Sequence, residues 1–168
     1  MTPYDEPAIT APRGGATVGL LTDLPPLEAA AVRFMRHWFS GPDSRMTVRS
    51  EMQHALGPVL GRQAFENTGR LCNFCAHAGR RPLVRHGLSC TCLGADESCF
   101  ANLVAAAAQG QTDDANLLAS LIVVPNQAVQ AAILAAKAGM ALEHMTTGHS
   151  VAAPTHEVAH NQMTARLH

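Results

Sequence analysis

The sequence predicts an all-α protein, a single compact domain of about six helices with one irregular cysteine-containing loop. Hydrophobic residues make up 47% of the chain, enough for a core, whereas aromatic residues make up only 4%. Alanine and leucine supply most of the apolar side chains, and such residues favour packed helices over a sheet of β-branched and aromatic residues. Apolar residues also recur at helical spacing in several segments.

Proline, glycine and capping residues separate the predicted helices. Ser40-Gly41-Pro42 and Gly57-Pro58 divide the first three, because proline cannot continue a helix and glycine ends one readily. Asp96 is a suitable N-cap for the fourth helix, and Pro125-Asn126 divides the fifth from the sixth. The expected bounds are about 26–39, 43–56, 59–78, 97–109, 112–124 and 127–145. Residues 79–95 show no helical pattern and form the irregular loop.

The helices are expected to form one domain at residues 24–145. Residues 1–23 are rich in proline and glycine with little periodicity, which indicates a flexible arm. Residues 146–168 are polar and contain several histidines, which indicates a flexible tail. The length of 168 residues suits a single domain with such ends.

The cysteines are the most informative residues, because all five lie between positions 72 and 99. Structural zinc takes four tetrahedral ligands, commonly thiolate sulfur or imidazole nitrogen, and two short chelating pairs can supply them. The spacings C-x2-C and C-x-C provide two such pairs. We therefore predict a structural zinc site in the 72–99 region. The predicted ligands are Cys72, Cys75, Cys90 and Cys92, with His86 as the first substitute.

Two other interpretations of the cysteines stay open. Cys72 and Cys75 lie on the apolar stripe of the third helix, and Cys99 adjoins the apolar face of the fourth, where a free cysteine acts as a small hydrophobe. The cysteines would then be purely structural. Alternatively, Cys90, Cys92 and Cys99 form a thiol-based redox sensor. A Cys90–Cys92 disulfide would be strained and easily reduced, and the start of a helix favours the thiolate of Cys99.

Arg80, Arg81 and Arg85 concentrate positive charge beside the cysteines and predict a binding surface. The formal net charge of −1 provides no overall attraction to nucleic acid, and residues 79–95 contain no aromatic side chain for base stacking. Another protein is therefore the expected partner, with nucleic acid as the alternative.

The string His156-Glu157-Val158-Ala159-His160 matches the metal-binding signature of zincin metalloproteases. The third ligand is missing, because Met163 and Arg166 stand where the extended motif has glycine and histidine. We expect a polar tail with incidental metal affinity rather than a zinc metalloprotease. The sequence also has no phosphate-binding glycine loop and no dinucleotide fingerprint, so it indicates no particular enzyme.

The expected location is the cytoplasm, without a membrane partner. Residues 1–9 show neither the basic nor the apolar region of a secretory signal, and no apolar run is long enough to span a bilayer. Paired cysteines in the cytoplasm are more often metal-bound or redox-active than structurally disulfide-bonded. The sequence therefore predicts a non-catalytic binding or regulatory protein whose structural zinc holds the 72–99 region.

Overall fold

The structure, a computed structural model, describes residues 13–148. Its six helices are α1 Pro26–Phe39, α2 Pro42–Leu56, α3 Pro58–Ala78, α4 Ala95–Ala108, α5 Thr112–Ile122 and α6 Ala128–Gly148. Two short strands, β1 Thr17–Leu20 and β2 Cys92–Gly94, form a small antiparallel sheet. The predicted fold class, a single compact all-α domain, is confirmed. None of the described helices combines the length and the apolar character needed to cross a bilayer.

The first three helices follow one another almost without loops. Each begins with proline at a first-turn position, where the missing N–H would have no helical partner. Gly41 and Gly57 precede two of these prolines with φ angles of 108° and 81°, which residues with a side chain rarely adopt. These local preferences explain why the predicted bounds of α1–α3 agree closely with the structure.

An aromatic cluster and α6 form the centre of the core. The rings of Phe34 and Trp38 stack with their centroids 5.7 Å apart, and Phe65 packs against both. Nε1 of Trp38 donates a hydrogen bond to Asn73 at 3.0 Å. Other large, fully buried side chains are Met35, Met52, Leu71, Phe100, Leu103 and Leu142.

Small side chains allow α4 and α6 to approach each other closely. A Cβ added at Gly139 of α6 would lie 2.7 Å from the Cβ of Ala108 and 2.8 Å from the carbonyl oxygen of Val104. Other small residues of α6 are fully buried, including Ala131, Ala135 and Ala138. This is the close helix packing that the alanine-rich, aromatic-poor composition predicts.

Part of the predicted N-terminal arm belongs to the folded domain. Thr17 pairs with Gly94 and Leu20 with Cys92 in the antiparallel sheet, with an irregularity between Thr17 and Gly19. The N–H of Leu21 donates to the carbonyl of Thr91 at 2.8 Å. A four-residue strand with a bulge is too short to leave an alternating apolar pattern in the sequence. At the other end, α6 continues to Gly148, three residues beyond the predicted 145.

The start of α4 differs from the prediction. Gly94, rather than Asp96, occupies the N-cap position, so Glu97 is the third residue of the helix. The N–H of Gly94 donates to the Glu97 carboxylate at 2.8 Å, which satisfies one of the backbone donors at the helix start. Cys99 is therefore two residues further into α4 than predicted, beyond the free N–H groups that favour a thiolate.

Candidate functional site

A buried ion pair between Arg36 and Glu97 joins α1 to α4 beside the cysteine-containing loop at residues 79–95. The side chains are 1% and 0% exposed, respectively. Nε of Arg36 donates to Oε1 of Glu97 at 2.7 Å, and Nη2 donates to Oε2 at 2.9 Å. This bidentate match of guanidinium and carboxylate is the geometry in which such pairs are strong and specific.

The same guanidinium also holds the loop backbone. Nη1 of Arg36 donates to the carbonyl of Gly87 at 3.2 Å and to that of Cys90 at 2.6 Å, while Nη2 donates to the carbonyl of Cys92 at 2.6 Å. With the two bonds to Glu97, these contacts use all five N–H donors of the arginine. One side chain of α1 therefore fixes the backbone on both sides of Thr91.

Glu97 accepts hydrogen bonds from the loop as well. The N–H of His86 donates at 2.9 Å, Nδ1 of the same residue lies 3.1 Å from Oε2, and the N–H of Gly94 donates at 2.8 Å. Burial alone would raise the pKa of Glu97. The hydrogen bonds from Arg36, Gly94 and His86 outweigh burial and lower the pKa from 4.5 to about 2. Glu97 is therefore ionised at neutral pH.

Asp96 holds the first half of the loop. Nη1 and Nη2 of Arg81 donate to its two carboxylate oxygens at 2.7 and 2.8 Å, and the N–H of Val84 donates at 2.8 Å. Burial raises the pKa of Asp96, but the hydrogen bonds from Arg81 and Val84 prevail and lower it. Gly14 lies so close to this carboxylate that an added Cβ would overlap it. Two adjacent acids at the start of α4 thus hold the two halves of the loop.

Cys90 and Cys92 lie two positions apart on this loop, and both are partly exposed. The Cys90 thiol and the Thr17 side chain of β1 are both near enough to the Cys92 thiol to influence its pKa. The neighbouring Cys90 thiol raises the pKa of Cys92, while Thr17 and the Arg36 guanidinium act in the opposite direction. The structure therefore places two partly exposed thiols two positions apart on a backbone segment that Arg36 holds.

The other three cysteines lie in or beside the core. Cys72 and Cys75 are 0% and 1% exposed on α3, which continues unbroken to Ala78. Burial raises the pKa of Cys72 well above its usual value and that of Cys75 to about 12. Cys99 is partly buried on α4, where Sγ donates to the carbonyl of Leu118 at 3.8 Å, and burial raises its pKa. These positions are those of packing residues.

The predicted zinc ligands do not converge in this arrangement. Within residues 13–148, no three side chains of His, Cys, Asp or Glu are grouped as a metal site requires. Because α3 is intact, Cys72 and Cys75 stay buried in the core. Cys90 and Cys92 lie instead on the partly exposed loop. The His86 ring faces Glu97 and Gly94. Arginine–carboxylate contacts hold the loop at the place where zinc was expected to do so.

The three arginines of the predicted binding surface all donate hydrogen bonds within the domain. Nη1 of Arg80 donates to the Ser120 carbonyl at 3.2 Å, and Nη2 of Arg85 donates to the Phe39 carbonyl at 2.8 Å. Arg81 binds Asp96, as described above. Arg80 and Arg81 are nevertheless exposed, whereas Arg85 is partly buried. The loop arginines therefore attach the loop to α1, α4 and α5, and their role as a binding surface stays a prediction.

A groove beside the core lies away from the cysteines. It has a volume of about 600 Å³ between α1, α2 and α6, with Phe34, Met52 and Leu142 among its apolar lining residues. Arg33 and Glu51 form an exposed ion pair at 2.7 Å on its edge. The zincin-like string at 156–160 lies outside the described residues.

Sequence reasoning missed Arg36, the residue on which the loop depends. Arg36 lies one helical turn after Val32, which is fully buried in α1. The same helix contains Arg33, whose side chain is 59% exposed. Nothing in the local sequence separates these two arginines, because the difference arises from the distant residue Glu97.

No protein-family model, curated protein or solved structure matches this chain. The chemistry of the loop is therefore inferred from its own residues.

Proposed function

We propose that this is a non-catalytic regulatory protein that senses thiol oxidation through Cys90 and Cys92. The observation that supports this function is the placement of two partly exposed thiols two positions apart on a loop segment whose backbone Arg36 holds. Oxidants react with the thiolate form of accessible cysteines, whereas buried cysteines such as Cys72 and Cys75 are inert. A neighbouring thiol also allows reversible capture of the first oxidation product.

The oxidant class that fits this pair is a peroxide. With hydrogen peroxide, one thiolate attacks a peroxide oxygen, the O–O bond breaks, and a sulfenic acid and a hydroxide ion form. The hydroxide takes up the proton that the thiol released on ionisation and becomes water. The second thiol then attacks the sulfenic sulfur, and its proton leaves with the hydroxyl group as a second water. Two electrons pass from the sulfurs to the peroxide, and one Cys90–Cys92 disulfide results.

Closing this disulfide would move the backbone that Arg36 holds. Two residues of fully extended chain span at most about 6.6–7.2 Å, whereas disulfide-bonded Cα atoms are mostly about 5.5–6 Å apart. The carbonyls of Cys90 and Cys92 each accept a hydrogen bond from Arg36 at 2.6 Å. Contraction would disturb these bonds and therefore the Arg36–Glu97 pair. A protein partner would detect the change at the loop surface, where Arg80 and Arg81 are exposed.

The test is oxidation of the reduced full chain by hydrogen peroxide, followed by disulfide mapping. We expect a Cys90–Cys92 bond that dithiothreitol reverses, together with faster amide hydrogen exchange at residues 87–94. Cys90→Ser and Cys92→Ser should abolish both changes, whereas the matched variant Cys99→Ser should retain them. Oxidation that reaches Cys99 or Cys75 first, or a disulfide without any change in exchange, would contradict the proposal.

A further inference from the structure

We propose that a groove between α3 and α6 binds a medium-chain fatty acid as its free carboxylate anion. The groove has a volume of about 400 Å³, which is within the range of small-molecule sites. Its lining residues belong neither to the cysteine-containing loop nor to the groove between α1, α2 and α6. The inference therefore adds a ligand to the proposed function and does not depend on it.

Most of the groove presents an apolar surface. Its apolar lining residues are Leu56, Leu60, Ala64, Met140 and Ala141. The large side chains of Leu60 and Met140 are 60% and 50% exposed. An acyl chain lying along the groove would cover part of this surface, and the removal of apolar surface from water favours binding. The groove is therefore suited to the hydrocarbon part of an amphiphile.

The polar side chains of the groove favour an anionic head group. They are the amides of Gln63 and Asn67, the ammonium group of Lys137 and the imidazole of His144. Lys137 supplies positive charge and three N–H donors, and an amide supplies two more donors. Both carboxylate oxygens of a fatty acid can accept hydrogen bonds from such groups. The same lysine would repel an amine of equal chain length.

The two helices that form the groove run antiparallel. The N–H of Val124, shortly before α6, donates to the carbonyl of Ala78 at the end of α3 at 2.9 Å. The start of α6 is therefore beside the end of α3. The groove in turn brings residues 60–67 of α3 beside residues 137–144 of α6.

This direction separates the cation from the apolar end of the groove. Asn67 and Lys137 lie toward one end, whereas Leu56 and Leu60 lie toward the other, beside His144. His144 follows Lys137 by seven residues, which is a rise of about 10 Å along a helix. A carboxylate at Lys137 would therefore place its acyl chain along the apolar part of the groove.

The test is a titration of the full chain, labelled with ¹³C at the methionine methyl groups, with octanoate below its critical micelle concentration. We expect a saturable shift of the Met140 signal, which Met140→Leu identifies. Met52 lines the groove between α1, α2 and α6, and its signal should not shift. Octylamine has the same chain with a cationic head group and should bind at least about fivefold more weakly.

Three variants separate the head-group contact from the acyl contact. Lys137→Met should weaken octanoate binding about fivefold without weakening the binding of octanol. Arg62→Met is the matched control, because it removes an exposed cation of α3 that does not line the groove, and it should bind octanoate as tightly as the wild type. Leu60→Asp should weaken the binding of both octanoate and octanol. All three replaced side chains are exposed, so the variants should fold.

Several results would overturn the inference. They are a shift of Met52 instead of Met140, equal affinity for octanoate and octylamine, and equal losses of octanoate binding in Lys137→Met and Arg62→Met. Binding to vesicles of anionic phospholipid without binding of monomeric octanoate would also overturn it, because the groove would then contact a lipid surface. All three variants retain Cys90 and Cys92, so the peroxide test of the proposed function can succeed or fail separately.

Discussion

Replacing Glu97 with glutamine tests how strongly the buried ion pair stabilises the domain. The change keeps the size of the side chain but leaves the Arg36 guanidinium, which is 1% exposed, without its counter-charge. A carboxyl group whose pKa falls from 4.5 to about 2 on folding contributes about 3 kcal/mol at neutral pH. Removing one partner of a buried pair typically costs about 3–5 kcal/mol. We therefore expect the free energy of unfolding to fall by about 3 kcal/mol.

The effect should depend on pH in a defined direction. Because the pKa of Glu97 is lower in the folded state, its stabilising contribution is complete above about pH 5 and is lost as the pH falls toward 2. Less than half of it should remain at about pH 3. Glutamine does not titrate, so the stabilities of the wild type and Glu97→Gln should converge on acidification.

Urea denaturation at pH 7 and pH 3, followed by the fluorescence of Trp38, measures both quantities. Glu66→Gln is the matched control, because it makes the same chemical change at an exposed site on α3. The control should alter stability by no more than about 0.5 kcal/mol. A loss below about 1 kcal/mol for Glu97→Gln, or a difference from wild type that does not change with pH, would refute the reasoning.

Two further pairs of substitutions test the packing of the core. Gly69→Ala should lower the free energy of unfolding by about 1–3 kcal/mol, because the new methyl group would overlap the Trp38 indole. In urea denaturation its control Gly87→Ala, which faces open space, should stay within about 0.5 kcal/mol of wild type. Leu142→Ala, at a residue with 0% exposure, should cost about 2–5 kcal/mol. Thermal unfolding should show little change for Leu117→Ala, whose side chain is 64% exposed. Equal losses within either pair would contradict the packing described.

The helices could be predicted because their ends depend on local chemistry. Gly41-Pro42 and Gly57-Pro58 terminate and restart helices through the backbone preferences of glycine and proline alone. The pairing of β1 with β2 could not be predicted, because strand partners far apart in sequence leave no local signal. The cap of α4 was misplaced for a similar reason. Asp96 is a good capping residue in isolation, but in the fold its carboxylate binds Arg81 and Val84.

The candidate site was predicted only in part. The clustering of the cysteines indicated residues 72–99, but spacing alone cannot show that Cys72 and Cys75 lie on an unbroken helix and face the core. The residue that holds the loop, Arg36, lies 61 positions before its partner Glu97. Such a contact depends on how α1 packs against α4. It follows from tertiary structure rather than from any motif.

The accessibility of the Cys90–Cys92 pair is the central claim, and alkylation kinetics test it most directly. Native protein would be labelled with iodoacetamide in the presence of a chelator, and the modified residues would be identified over time by mass spectrometry. Cys90 and Cys92 should be labelled first and Cys99 more slowly, with Cys72 and Cys75 modified only after unfolding. Labelling of Cys72 or Cys75 in the native protein as fast as Cys90 and Cys92 would contradict this account.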